Sequence, residues 1–114
     1  MAKSAVNVQR LDQTLVLAGG FADTETLAAA RTIVLSDAQH LQLDPGGAGR
    51  DVTLPPFRDG LSYMIVNRAD AAEDLTVKDA AAATIVTISQ NERAIVASDG
   101  SSWFHLGIET IALS

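Results

Sequence analysis

The stretch that decides the fold runs from residue 50 to residue 107 and reads RDVTLPPFRDGLSYMIVNRADAAEDLTVKDAAAATIVTISQNERAIVASDGSSWFHLG. It contains six short runs with the composition of β-strands: Asp51–Leu54, Ser62–Arg68, Asp74–Lys78, Thr84–Ser89, Arg93–Ala97 and Ser102–Gly107. Residues with strong turn preferences separate them: Pro55-Pro56, Asp59-Gly60, Asp70 with Glu73, Asn91 and Asp99-Gly100. Strands this closely spaced leave no room for a helical layer. They predict an all-β domain, a small antiparallel sandwich or barrel.

The segment before this stretch adds further strands and a lead-in. Arg31–Leu35 and Gln39–Leu43 are predicted strands, the second with alternating polar and apolar residues. Thr24–Arg31 has weak helical spacing and is predicted to form a short helix or an irregular turn. We therefore expect an N-terminal arm and lead-in segment over residues 1–27 and a β domain over residues 28–114.

Composition predicts a modest core. The 114 residues are the size of one domain, with 47% hydrophobic but only 4% aromatic residues. The core must then be built from Ala, Val, Ile and Leu, and such a core is often completed by oligomerisation. Ser62–Arg68 is apolar on both faces, which indicates a central strand or a subunit contact.

Charge and residue types exclude several classes of function. The net charge is −6 and the eight basic residues are scattered, so nucleic acid is not an expected partner. With no cysteine, the chain has neither disulfides nor thiolate metal sites. No apolar run approaches the roughly 20 residues that span a bilayer, and no signal peptide is recognised. We expect no membrane partner.

No catalytic or cofactor motif is recognised. The glycines of 46–49 precede a strand ending in prolines rather than a helix, so a surface turn is favoured over a phosphate-binding loop. Ser98, Ser101 and Ser102 flank Asp99 without a nucleophile elbow. The chain is therefore predicted not to be an enzyme and to need no cofactor.

Metal binding is also not expected. His40 and His105 lack partners at metal-ligand spacing. Acidic residues near one predicted loop lack the ligand order of a calcium loop, and a solvated loop is favoured: Asp70, Glu73, Asp74 and Asp79. Trp103, the only tryptophan, is a candidate anchor either in the core or at a contact with a partner.

The order of elements resembles small β domains of tailed-bacteriophage virions, found in head decoration (cement) proteins and in fibre modules. Three short signatures carry the resemblance in order: Thr53-Leu54-Pro55, Ile65-Val66-Asn67 and Ser98-Asp99-Gly100-Ser101-Ser102-Trp103. Thr32-Ile33-Val34-Leu35 precedes them and Leu75-Thr76-Val77-Lys78 lies between them. Together they cover roughly residues 28–107.

The resemblance implies a homotrimeric, non-catalytic virion protein with a sandwich, jelly-roll-like or β-tulip-like fold. The apolar composition argues for association, and the threefold symmetry comes from the resemblance. We expect the subunit interface to use some of Tyr63, Ile65, Val86, Ile88 and Trp103. The polar arm is the candidate capsid contact, through Val6, Val8 and Arg10, because an extended arm can add a strand to a neighbouring sheet.

The expected function is that of a capsid decoration protein, made in the bacterial host cytoplasm and bound to the major capsid protein on the outer surface of the virion. One alternative is a head-fibre or tail-fibre module that contacts the host surface. Another is a small jelly-roll carbohydrate-binding module, for which exposed aromatic side chains are scarce, since aromatic residues make up 4% of the chain.

Overall fold

The computed structural model describes residues 23–111. They form nine strands and no helix: β1 Glu25–Thr26, β2 Arg31–Thr32, β3 His40–Asp44, β4 Arg50–Thr53, β5 Asp59–Asn67, β6 Leu75–Lys78, β7 Thr84–Ile88, β8 Glu92–Asp99 and β9 Trp103–Thr110. The prediction of an all-β domain is confirmed. Each of the six strands predicted between residues 50 and 107 overlaps an observed strand, because turn residues and apolar runs are local signals.

The strands are divided between two sheets. Sheet A has the order β1-β3-β5-β8-β9, and sheet B has the order β2-β4-β6-β7. Inward-facing side chains from both sheets meet in one apolar core, which includes Leu43 and Ile65 of sheet A and Val52 and Leu75 of sheet B, all 0% exposed. Of the two interpretations of Ser62–Arg68, a central strand or a subunit contact, the structure shows the central strand, because β5 lies between β3 and β8.

The first six strands alternate between the sheets, so the chain winds around the core in successive coils. β1, β3 and β5 pair in parallel in sheet A, and β2, β4 and β6 pair in parallel in sheet B. Each coil therefore lies about 4.8 Å from the next. The expectation of an antiparallel sandwich is wrong for this half of the chain, and both sheets are mixed.

The last three strands reverse direction. β7 pairs antiparallel with β6, β8 with β5, and β9 with β8. Along β9 the register shifts between the partners of Ala94 and Val96, beside Gly107 with a φ of 123°. This bulge lies in the strand that forms one edge of sheet A.

Two expectations about the start of the domain need revision. No helix forms over Thr24–Arg31; the segment holds β1, a turn and the first residue of β2. Leu27, placed by sequence in the lead-in segment, is 5% exposed and belongs to the core. It enters the core because its amide donates to the carbonyl of Asp44, which attaches the first coil to the second.

The part of the chain that the structure describes contains no helix of the length and apolarity needed to cross a membrane.

Candidate functional site

The five residues proposed for the subunit interface lie inside the domain. Their exposed fractions are 3% for Tyr63, 0% for Ile65, 5% for Val86, 0% for Ile88 and 6% for Trp103. A side chain enclosed by its own chain offers no surface to a neighbour, so this assignment needs correction. Val6, Val8 and Arg10, the proposed capsid contacts, lie outside the described residues.

Trp103 is a core residue that joins two distant segments. Its indole nitrogen Nε1 donates to the carbonyl oxygen of Pro55 at 2.9 Å. Its ring lies 6.1 Å from that of Tyr63, tilted by 38°. The start of β9 is thereby attached to the loop that follows β4, and two of the virion-type signatures meet at one hydrogen bond.

The Ser-Asp-Gly signature shapes the turn before Trp103. The Asp99 carboxylate accepts hydrogen bonds from the amides of Ser101 and Ser102 and from the Ser101 hydroxyl. These bonds lower the pKa of Asp99. The Ser98 hydroxyl accepts the amide of Arg58 at 3.0 Å. The three serines therefore make hydrogen bonds that shape the turn and its neighbouring loop.

Asn67, the last residue of the Ile-Val-Asn signature, joins the two sheets. It is 0% exposed. Its Nδ2 donates to the carbonyls of Glu73 and Ile88, each at 2.8 Å, and its Oδ1 accepts the amide of Ala69 at 2.8 Å. One amide side chain thus satisfies three buried or partly buried backbone groups. The signatures on which the resemblance depends are structural.

The crossovers between the sheets form two opposite corners. The loops after the sheet B strands β2, β4 and β6 lie at one corner, the first two crossing to sheet A and the third joining β6 to β7 within sheet B. The segments that leave sheet A after β3 and β5 lie at the other corner. We call the first the apolar corner, made of six exposed residues: Val34, Leu35, Pro56, Phe57, Ala80 and Ala81. We call the second the acidic corner: Asp44, Asp70, Glu73 and Asp74.

The apolar corner is a continuous stripe across three coils. Val34, Leu35 and Phe57 are each 49% exposed. A groove of about 340 Å³ runs between the loops after β2 and β4 and reaches Ala80. A second groove of about 270 Å³ is lined by Pro56, Phe57, Asp79, Ala80, Ala81 and Trp103. The two grooves share Pro56 and Ala80, so they adjoin and form one continuous stripe.

An ion pair holds the first loop of the apolar corner in place. Asp37 Oδ2 accepts the amide of Val34 at 2.8 Å and lies 3.0 Å from Arg31 NH1. Arg31 also contacts Glu25. The hydrogen bond from Arg31 and that from Val34 lower the pKa of Asp37, while the two carboxylates raise the pKa of Arg31. Val34 and Leu35 are thus held outward on a fixed turn.

The acidic corner is held by hydrogen bonds to its carboxylates and backbone. Asp44 Oδ1 accepts the amide of Gly46 at 2.9 Å, and Glu73 Oε1 accepts the amide of Gly47 at 3.2 Å. Gly46 has a φ of 76°, and a Cβ there would lie 2.3 Å from the carbonyl oxygen of Leu27. The glycine cluster is therefore a turn that lets adjacent coils approach closely.

The four acidic residues named from the sequence do not all lie together. Oxygen atoms of Asp44, Asp70 and Glu73 lie within 4.8 Å of one another. Asp79 lies at the opposite corner, where its carboxylate accepts the amides of Ala81 and Ala83. Within residues 23–111, neither His40 nor His105 belongs to a group of three or more metal-ligating side chains.

A second exposed apolar surface lies on β9. Phe104, Leu106 and Ile108 are 40%, 64% and 42% exposed. Among the described strands β9 pairs only with β8, so one side of its backbone carries no ladder partner there. Unpaired, apolar edge strands are templates for contact with another chain.

Sequence reasoning missed the apolar corner because its residues stand at strand ends and turns. Val34 and Leu35 were assigned to a strand that in the structure ends at Thr32. Phe57 follows two prolines and carried no periodic signal. Three large apolar residues just beyond strand ends were the available indication.

Comparison of the chain with protein-family models, with curated proteins and with solved structures finds no match.

Proposed function

We propose that this chain is a structural virion protein: a capsid decoration protein that forms homotrimers and binds the major capsid protein on the outside of a phage head. The observation that carries the proposal is the pair of separate exposed apolar surfaces, the apolar corner and β9. A protein that joins copies of itself to a shell needs two contact surfaces. Exposed apolar patches of this kind typically mark protein contacts.

The resemblance in the three signatures supports the same proposal. Their residues make the contacts that join β9 to the loop after β4 and β5 to β7. A sequence that keeps these contacts keeps the two-sheet architecture, so we propose a sandwich-like relationship to the jelly-roll-like and β-tulip-like virion domains. The parallel coils distinguish this chain from a simple antiparallel sandwich.

Decoration would stabilise a capsid by mass action. A ligand that binds only the assembled shell stabilises it by roughly RT ln(1 + [L]/Kd) per site. Many copies on one lattice add their contributions. The protein would be made in the bacterial host cytoplasm and would remain on the outer surface of the virion, without catalysis.

One observation favours the alternative of a fibre module. The coils stack along one axis, and β1 and β2 lie at the outer edges of the two sheets. A stacked architecture of this kind can continue into a longer shaft. Binding to host cells rather than to capsids would support that alternative.

The carbohydrate-binding alternative has less support. Tyr63 and Trp103 are buried, which leaves Phe57 and Phe104 as the exposed aromatic side chains within residues 23–111. Phe57 belongs to a loop of the apolar corner and Phe104 to an edge strand, so the two exposed rings lie on different elements.

Co-sedimentation with capsids that lack the protein tests the decoration function. Full-length protein is expected to sediment with the capsid in saturable amounts, and failure to do so would contradict the proposal. Removal of residues 1–10 tests the arm separately, and we expect it to weaken attachment. If the truncated protein binds equally well, the arm is not the capsid contact, and the contact lies elsewhere on the protein.

A further inference from the structure

The apolar corner has the geometry of a contact between parallel copies. Its three loops follow equivalent strands of successive coils, since Thr32 is aligned with Thr53 and Thr53 with Lys78. The stripe therefore runs along the direction in which the coils stack. Rotation about an axis parallel to that direction places equivalent coils of two copies at the same height, which aligns stripe with stripe.

The charge distribution favours a second copy of this chain as the partner that binds the apolar corner. With a net charge of −6, two copies repel each other unless they meet where the surface carries little negative charge. None of the six residues of the apolar corner is charged. Asp37 beside it is paired with Arg31, and Asp79, which lines the second groove, is the one acidic group among the residues described there and is hydrogen-bonded to amides of its own loop. The acidic corner, in contrast, disfavours a second copy.

A cation at the rim strengthens this argument. Arg58 directly follows Phe57 and is exposed. Its positive charge disfavours a cationic partner at this corner. The hydrogen-bonded turn at Val34 and Leu35 adds to the suitability of the corner, because the backbone there has less loop freedom to lose on association.

We propose that the apolar corner is the surface through which copies of this chain contact one another, and that β9 remains available to the other partner. This assignment rests on the proposed homotrimer and does not depend on capsid binding. It replaces the buried residues named from the sequence with Val34, Leu35, Phe57 and their neighbours in the stripe.

A matched pair of leucine variants tests the assignment. Leu35→Asp places a charge in the apolar corner, and Leu106→Asp makes the same change on β9, where the leucine is 64% exposed. Analytical ultracentrifugation of the full chain at micromolar concentration is expected to show assembly at least about tenfold weaker for Leu35→Asp. Leu106→Asp is expected to assemble like the unchanged protein.

Phe57→Asp, on a different loop of the same stripe, provides a second test of the contact in case Leu35→Asp does not fold. Urea unfolding midpoints identify variants that assemble poorly because they unfold. Assembly retained by folded Leu35→Asp and Phe57→Asp would overturn the assignment but leave the trimer standing. Loss of assembly in Leu106→Asp alone would move the contact to β9. A monomeric unchanged protein would overturn both trimer and assignment, while capsid co-sedimentation would still test decoration.

Discussion

The two corners of the domain are built by the same coils but differ in chemistry. At the apolar corner the crossovers present Val34, Leu35 and Phe57, each 49% exposed. At the acidic corner they present carboxylates, with oxygens of Asp44, Asp70 and Glu73 within 4.8 Å of one another. Since crossovers of the same fold tolerate either chemistry, folding alone does not require an apolar surface. The difference supports the proposal that the apolar corner, and not the acidic corner, contacts another protein chain.

The corners also differ in what holds them. The acidic corner depends on a buried amide, Asn67, which satisfies three backbone groups. The apolar corner depends on an indole hydrogen bond from Trp103 and on the ion pair of Arg31 with Asp37. Because none of these groups belongs to the exposed stripe, stability and assembly are expected to respond to different substitutions.

The largest effect is expected from Asn67→Ala. The substitution removes three hydrogen bonds at a site with no solvent access and leaves the carbonyl of Ile88 without this donor. We expect the free energy of unfolding to fall by about 3 kcal/mol, measured by urea denaturation. Gln39→Ala, at an exposed position, is the control and should change stability by less than about 0.5 kcal/mol. Equal effects would show that Asn67 does not join the sheets as described.

Trp103→Phe is expected to have a smaller effect at the apolar corner. The substitution keeps an aromatic ring against Tyr63 but removes the 2.9 Å bond to the Pro55 carbonyl. Loss of that bond and of ring volume should cost about 2 kcal/mol.

The control for Trp103→Phe is the neighbouring Phe104→Leu, where the side chain is 40% exposed and little stability should be lost. Unchanged unfolding of Trp103→Phe would mean that the indole bond contributes nothing to the attachment of β9.

The sequence predicted which residues form strands far better than how the strands pair. Six strand positions followed from turn chemistry and alternation, as in the segment Ser62–Arg68, which overlaps the observed strand Asp59–Asn67. Strand direction was missed because parallel or antiparallel pairing depends on distant partners, such as Leu41 with Ile65. The Pro55 to Trp103 contact likewise joins residues 48 positions apart, which no local pattern specifies.

The apolar corner was missed for a related reason. The run Thr32-Ile33-Val34-Leu35 reads as a continuous strand. In the structure, Asp37 accepts the amide of Val34, and the chain turns there. A side-chain contact three residues away therefore converts two predicted strand residues into an exposed loop. The sequence also does not show that the five proposed interface residues are buried, because apolar residues occupy both core positions and interface positions.

Acid is expected to weaken the apolar corner. The pKa of Asp37 is lowered in the folded state by Arg31 and by the Val34 amide. Because the pKa of Asp37 is lower in the folded state, its carboxylate stabilises the fold. This stabilisation is complete above the unfolded pKa of about 3.9 and is lost as the pH falls through the folded pKa.

The contribution of Asp37 should be at most about 1 kcal/mol, because the ion pair is partly solvated. Unfolding measured from pH 7 down to pH 2 in the unchanged protein and in Asp37→Asn checks this prediction. The variant should be the less stable protein at pH 7, and the difference should narrow with acid. A constant difference would show that the carboxylate charge plays no part.

The smallest effect is expected at the acidic corner, and its sign is opposite. Asp70 is exposed, with a carboxylate oxygen within 4.8 Å of those of Asp44 and Glu73. Like charges at this separation repel, so Asp70→Asn should raise the free energy of unfolding by a few tenths of a kcal/mol at pH 7 and low salt. Salt screens such repulsion, and the gain should shrink as ionic strength rises toward 1 M. A loss of stability on substitution would instead mean that the carboxylate makes a favourable contact.

Assembly should not respond to Asp70→Asn, because the acidic corner faces away from the proposed contact between copies. Stronger assembly of Asp70→Asn would place a second copy near the acidic corner and would remove the distinction between the two corners.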